Sequence, residues 1–133
     1  MKLVTHDIRA RLLTNERASA AAYARGKRAP DHVPVVRFFS PLSEAVWLAT
    51  EMDMDGILFG LADLGFGCPE LGSYALKELQ SIRLPFGLGI ERDICFEGRF
   101  PLSGYAAAAR QTGSARFSEQ QLITAQAVWQ GGQ

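Results

Sequence analysis

Seven of the carboxylates in the middle of this chain could do chemistry: Glu51, Asp53, Asp55, Asp63, Glu70, Glu91 and Asp93. Oxygen donors of this kind hold Mg²⁺ or Ca²⁺, and paired carboxylates can do acid–base or metal-assisted work. Asp53-Met54-Asp55-Gly56 opens like a calcium loop, but the bidentate glutamate at the end of such a loop would fall on Leu64, and the glycine comes too early. The tetrapeptide reads instead as a hairpin turn with Asp-Gly at its end. Glu51 and Glu91 each sit in an apolar, strand-like stretch. They can act together only if their strands are neighbours and their faces coincide. Otherwise each belongs to a solvated strand face with Arg37 or Arg92 as its ion-pair partner.

Other chemistries find less support. His6 and His32 are the only histidines, both outside the predicted sheet, and no Gly-x-Ser-x-Gly elbow is present. Pro85-Phe86-Gly87-Leu88-Gly89 contains Gly-x-Gly but lacks a third glycine and precedes a strand, so no helix N-terminus awaits a phosphate. Cys68 and Cys95 have no C-x-x-C spacing and no histidines beside them, and read as plain reduced thiols. No catalytic residue, cofactor or metal ion is assigned from the sequence.

The elements that must position these residues follow from periodicity. Thr5 is placed to cap an N-terminal helix carrying Asp7 in its first turn and Ile8 and Leu12 on one face. The pattern weakens from Thr14, although the alanines of Ala18 to Ala24 favour helix, and Arg25, Lys27 and Arg28 with Gly26 and Pro30 predict a mobile basic loop that includes His32. Val33 to Phe39, Ala45 to Glu51, Ile57 to Ala62, Glu70 to Ala75 and Leu88 to Phe96 read as strands. In the second of these, Val46, Leu48 and Thr50 share one face, and Trp47, Ala49 and Glu51 the other. Leu76 to Ile82 is a short helix ended before Pro85, Ser103 to Arg110 a second one stopped at Gly113, and Glu119 to Trp129 a third capped by Ser118. Trp129 and Phe117 must dock on the domain or on another chain. Clustered strands with helices around them predict an α+β fold: one domain over 1–133, a central antiparallel sheet of about four to five strands, a basic loop or insertion near 14–32, and a helical extension over 103–133.

Charge is neutral overall and segregated. Residues 1–32 carry seven basic and three acidic side chains (+4), residues 33–98 four and ten (−6), and residues 99–133 three and one (+2). Such segregation marks either a partner surface or basic ends folded back on an acidic centre. No apolar run approaches the ~20 residues a bilayer demands, and the start lacks a signal-peptide core, so a cytoplasmic, non-membrane protein is expected.

Several landmarks occur in a familiar order: Val36-Arg37-Phe38-Phe39-Ser40-Pro41, Trp47-Leu48-Ala49-Thr50-Glu51, Leu58-Phe59-Gly60-Leu61, Pro69-Glu70-Leu71-Gly72-Ser73-Tyr74, Leu76-Lys77-Glu78-Leu79 and Gly87 to Asp93. Together with the opening Met1-Lys2-Leu3, this order resembles domain-of-unknown-function family 2958, small bacterial proteins of plasmids and other mobile elements. The resemblance covers residues 1–12 and 33–102 and carries no activity. It implies a non-enzymatic accessory protein that binds a macromolecule, a protein partner first, with an anti-CRISPR or anti-restriction role as the sharper form. The acidic set Glu51, Asp53, Glu70, Glu91 and Asp93 is the candidate binding surface. Two alternatives stand beside it: a small carboxylate-site, metal-assisted enzyme, and a DNA-binding accessory that uses the basic N-terminal region with Arg25, Lys27 and Arg28.

Overall fold

A computed structural model describes residues 1–131, with side chains through residue 126. The chain forms α1 (His6–Ala24), β1 (Val36–Phe39), β2 (Val46–Met52), β3 (Ile57–Asp63), β4 (Glu70–Ala75), α2 (Leu76–Ser81), β5 (Glu91–Arg92), α3 (Leu102–Thr112) and α4 (Ser118–Gly131). The strands make one antiparallel sheet in the order β4-β3-β2-β1-β5. This is the α+β domain the strand clustering predicts.

Helices cover both faces of the sheet. On one, Ile8 and Leu12 of α1 and Leu76 and Leu79 of α2 pack on Val36, Phe38, Trp47, Ala49, Met52 and Leu58. On the other, Leu102, Tyr105, Ala106 and Ala109 of α3, with Leu122 of α4, pack on Val46, Leu48 and Leu61. Two-sided cover explains why β2 is buried at nearly every position. The solvated face expected for its charges does not exist over most of its length.

Several local expectations hold in detail. Thr5 caps α1, its hydroxyl accepting from the Ile8 amide at 3.2 Å, and Asp53 to Gly56 closes the β2–β3 hairpin with Gly56 at φ +79°. Others need correction. α1 runs unbroken to Ala24, and residues 25–32 are tied at their far end: the Leu102 amide donates to the His32 carbonyl, and Asp31 accepts from the backbone and hydroxyl of Ser103. The strand expected over Leu88 to Phe96 shrinks to Glu91–Arg92; at its far end the Asp93 carboxylate accepts from the Cys95 amide at 3.0 Å and turns the chain. Ser118 does not cap α4 with its oxygen; its hydroxyl donates backward to the Ala115 carbonyl. The Trp129 side chain lies outside the described residues.

The alternation assumed for β2 also fails, at one place. Ala49 pairs with Gly60, and the next pair is Glu51 with Phe59, so Thr50 is an extra residue in a β-bulge. Ala49 and Met52 therefore both enter the α1-side core, which strict alternation forbids. Glu51 turns to the α3 side, with Phe59 beside it.

Candidate functional site

The bulge is built from polar contacts that a regular ladder would not need. The Leu48 carbonyl, displaced from the ladder, accepts from the Tyr74 hydroxyl at 2.9 Å. The Thr50 carbonyl accepts from Asn15 Nδ2 at 3.0 Å, and the Thr50 hydroxyl donates to the Phe59 carbonyl at 3.4 Å. Strand β1 does not extend this far: its last bond to β2 comes from the Val35 amide to the Ala49 carbonyl. The second half of α1 takes its place. Leu12, Asn15, Ser19 and Ala22 follow one another at helical spacing along the side of α1 that meets β2.

Ser19 is the hub of a polar triangle. Its hydroxyl oxygen lies 2.9 Å from Glu51 Oε2 and 3.1 Å from His32 Nε2, and the last two are 3.9 Å apart. A serine has one hydroxyl proton, and an ionised carboxylate can only accept. Ser19 therefore donates to Glu51, and His32 must donate its Nε2 hydrogen to Ser19. The free ring position is Nδ1, which has no hydrogen-bond partner among the described residues. Ser19 itself is 2% exposed. It holds the other two in place and is poorly placed to attack a substrate.

His32 and Glu51 line a cleft of about 280 Å³ on the α3 face of the sheet, together with Tyr23, Asp31, Phe59 and Leu71. Among the described residues none of its lining side chains is Lys or Arg; Asp31 and Glu51 are its carboxylates and His32 its imidazole. On its other side, His32 also borders a groove of about 410 Å³ formed with Arg11, Thr14 and Asn15 of α1.

The remaining acidic candidates do not join Glu51. Glu91 pairs with Phe39, which pairs with Val46, so Glu91 lies level with the start of β2 while Glu51 lies near its end. The five-residue offset is roughly 17 Å along the strand, and β1 stands between β2 and β5. Asp93 pairs with Arg37 at 3.2 Å on that same side. Glu70 opens β4, at the opposite edge of the sheet. Asp53 is occupied by its own turn, accepting from the Asp55 and Ile57 amides at 2.9 Å each. Among the described residues, no group of three or more His, Cys, Asp or Glu side chains could hold a metal ion. Arg25, Lys27 and Arg28 are exposed around the end of α1. Cys68 and Cys95 are exposed free thiols.

His32 and Ser19 are the functional candidates that sequence reasoning missed, because 13 and 32 residues separate Ser19 from its partners. The one available signal was the stripe on α1, where polar Asn15 and Ser19 interrupt an otherwise apolar face.

No helix among the described residues is long and apolar enough to cross a membrane. No curated protein and no solved structure matches the chain. The chain does match the family described as "Protein of unknown function (DUF2958)" over residues 3–116, a span that includes 14–32 and 103–116. It belongs to that family of proteins of unknown function.

Proposed function

We propose that this protein works by binding a macromolecule, a protein in the first instance, and that the cleft beside Glu51 receives a cationic group of that partner. One observation carries the reading: the cleft is lined by two carboxylates, Asp31 and Glu51, with the rings of Tyr23 and Phe59, the His32 imidazole and, among the described residues, no lysine or arginine. Carboxylates with aromatic faces favour an ammonium or guanidinium group over an anion. The wider proposal is a non-enzymatic, cytoplasmic accessory protein of a mobile genetic element that blunts a host defence by occupying a basic groove. It draws on the family resemblance and on the charge segregation along the chain.

The test begins with capture of the tagged protein's partner from host lysate, with and without nuclease, and its identification by mass spectrometry. Affinity for that purified partner is then compared between wild type and Asp31→Asn/Glu51→Gln. A nuclease-resistant partner whose binding weakens about tenfold or more in the double variant supports the cleft. Unchanged affinity removes the cleft from the reading. A partner lost on nuclease treatment shifts the weight to nucleic acid and to Arg25, Lys27 and Arg28.

The Ser19–His32–Glu51 triangle favours a second reading, a small acid–base enzyme. A histidine with Nε2 fixed and Nδ1 free is poised to take or give a proton at one atom. A panel of chromogenic ester, phosphoester and glycoside substrates, run beside His32→Asn, tests it. Turnover that disappears in the variant supports the enzyme, and turnover indifferent to the variant, or absent from wild type, removes it.

A further inference from the structure

The two edges of the sheet are finished differently. β5 is two residues long, and its Arg92 amide is covered by the sulfur of Met1 at 3.2 Å, with the Arg92 guanidinium bonded to the Lys2 carbonyl. Short length and cover are the usual protections of an edge strand. β4 has neither. It pairs with β3 over all six of its residues without a bulge, carries no lysine and no internal proline, and has only one charge, Glu70.

The direction of its free hydrogen-bonding groups follows from one bond. The Leu76 amide donates inward to the Gly56 carbonyl. In an antiparallel ladder inward and outward residues alternate, so Tyr74, Gly72 and Glu70 bond to β3. Leu71, Ser73 and Ala75 then point their amides away from the sheet. Leu71 and Ser73 also face their carbonyls outward, while the Ala75 carbonyl is taken by the first turn of α2, for which Ala75 is the N-cap residue.

We infer that β4 pairs antiparallel with β4 of a second copy of this chain, about a two-fold axis at Gly72. In that register Leu71 of each copy exchanges both backbone bonds with Ser73 of the other. The Ala75 amide donates to the Pro69 carbonyl of the second copy. The groups left over match as well: proline has no amide hydrogen, and it falls opposite the one carbonyl already in use. No outward donor is left without an acceptor. The two Glu70 side chains lie at opposite ends of the pairing, each across from a tyrosine, so no like charges meet. Gly72 sits on the axis. A Cβ there would meet nothing within 4 Å, so no contact inside the chain demands this glycine. On the α3 face, Ile57, Phe59 and Leu71 are 38%, 37% and 41% exposed, and this apolar strip continues across the axis into its own copy. The register is self-complementary, as a two-fold interface must be.

Sedimentation velocity on the full chain up to about 200 µM, where mass action favours association, tests this together with hydrogen exchange. The expected result is a closed dimer with concentration-dependent protection of the Leu71, Ser73 and Ala75 amides. Ser73→Pro deletes an outward amide and leaves the β3 ladder whole, as proline is tolerated with its nitrogen toward solvent. It should convert the dimer to monomer at every concentration tested, with unchanged far-ultraviolet circular dichroism. Leu71→Lys, at an exposed side chain, should do the same without touching the backbone if the proline variant fails to fold. A wild type that stays monomeric throughout overturns the inference. So does a dimer that survives either folded variant, or one that protects none of the three amides.

Discussion

Tyr74 donates its hydroxyl to the Leu48 carbonyl from two strands away, at 2.9 Å. The strand it crosses carries Gly60, where a Cβ would fall 1.8 Å from that same carbonyl oxygen. Glycine gives that carbonyl room, and tyrosine satisfies it.

Gly60→Ala should therefore cost about 3 kcal/mol or more, because backbone must move to admit a methyl group. Tyr74→Phe should cost about 1–3 kcal/mol by stranding a buried acceptor. Urea denaturation of both variants checks the order. A Gly60→Ala protein as stable as wild type would mean that the carbonyl is free to move.

The same contact sets an alkaline limit. Burial pushes the Tyr74 hydroxyl well above the ordinary tyrosine value, and burial pushes Tyr105 in the same direction. The folded protein keeps protons that an unfolded tyrosine releases near pH ~10. Stability is then complete below that pH and falls as pH rises past it, since the unfolded state binds fewer protons. Denaturation midpoints at about pH 9 and pH 11 should diverge in wild type and diverge less in Tyr74→Phe, with Tyr105 supplying the remainder. Equal divergence in both proteins would exclude Tyr74 as a source.

At the cleft, Ser19 is shared between Glu51 and His32. Ser19→Ala should destabilise by about 1–2 kcal/mol, and Glu51→Gln by less, since an amide oxygen can still accept. A double-mutant cycle with Glu51→Ala, which removes the acceptor outright, should give a coupling of about 0.5 kcal/mol or more, because the two side chains touch. Strict additivity would mean that the hydrogen bond contributes nothing in solution.

Asp63 joins the sheet to the second helical layer. It is 1% exposed and accepts from the Gly65 amide at 2.9 Å and from the Ala115 amide at 2.8 Å. Asp63→Ala leaves the Ala115 amide buried without an acceptor and should cost about 2–4 kcal/mol, whereas Asp63→Asn keeps one acceptor oxygen and should retain part of the stability. Thermal unfolding monitored by near-ultraviolet circular dichroism separates the two. Equal losses in both variants would show that the negative charge, and not the acceptor, matters.

Asp63 also shows where the sequence is legible and where it is not. Local signals carried the fold: Thr5 before α1, Asp-Gly between β2 and β3, Gly113 after α3, and strands rich in branched and aromatic residues. The site depends on contacts between distant residues. One inserted residue, Thr50, redirects Glu51, and no periodicity announces it, because Trp47 to Met52 looks the same with or without a bulge. His32 sits among glycine, proline and basic residues that read as a free loop. Its carbonyl is held by the Leu102 amide, and the neighbouring Asp31 by Ser103, both about 70 residues later. The acidic set shares the middle of the chain, and the sheet distributes it: Glu51 near the end of the central strand β2, Asp53 in a turn, and Glu70, Glu91 and Asp93 at the two edges.

Phe86 is the one non-glycine residue with positive φ among the described residues, at +64°, and its ring is 92% exposed. The left-handed region costs an ordinary residue about 1–2 kcal/mol, and an exposed ring recovers little of that by burial. Phe86→Gly relieves the strain but loses about 0.4–1 kcal/mol through a looser unfolded chain. Phe86→Asn relieves it with less such loss, since asparagine tolerates this conformation. Phe86→Ala relieves nothing. Stability should therefore rise by about 0.5–1 kcal/mol in the asparagine variant, rise slightly in the glycine variant, and stay level in the alanine variant. If all three lose stability, the ring makes contacts in solution that its exposure conceals, and the strain at Phe86 is the cost of keeping it there.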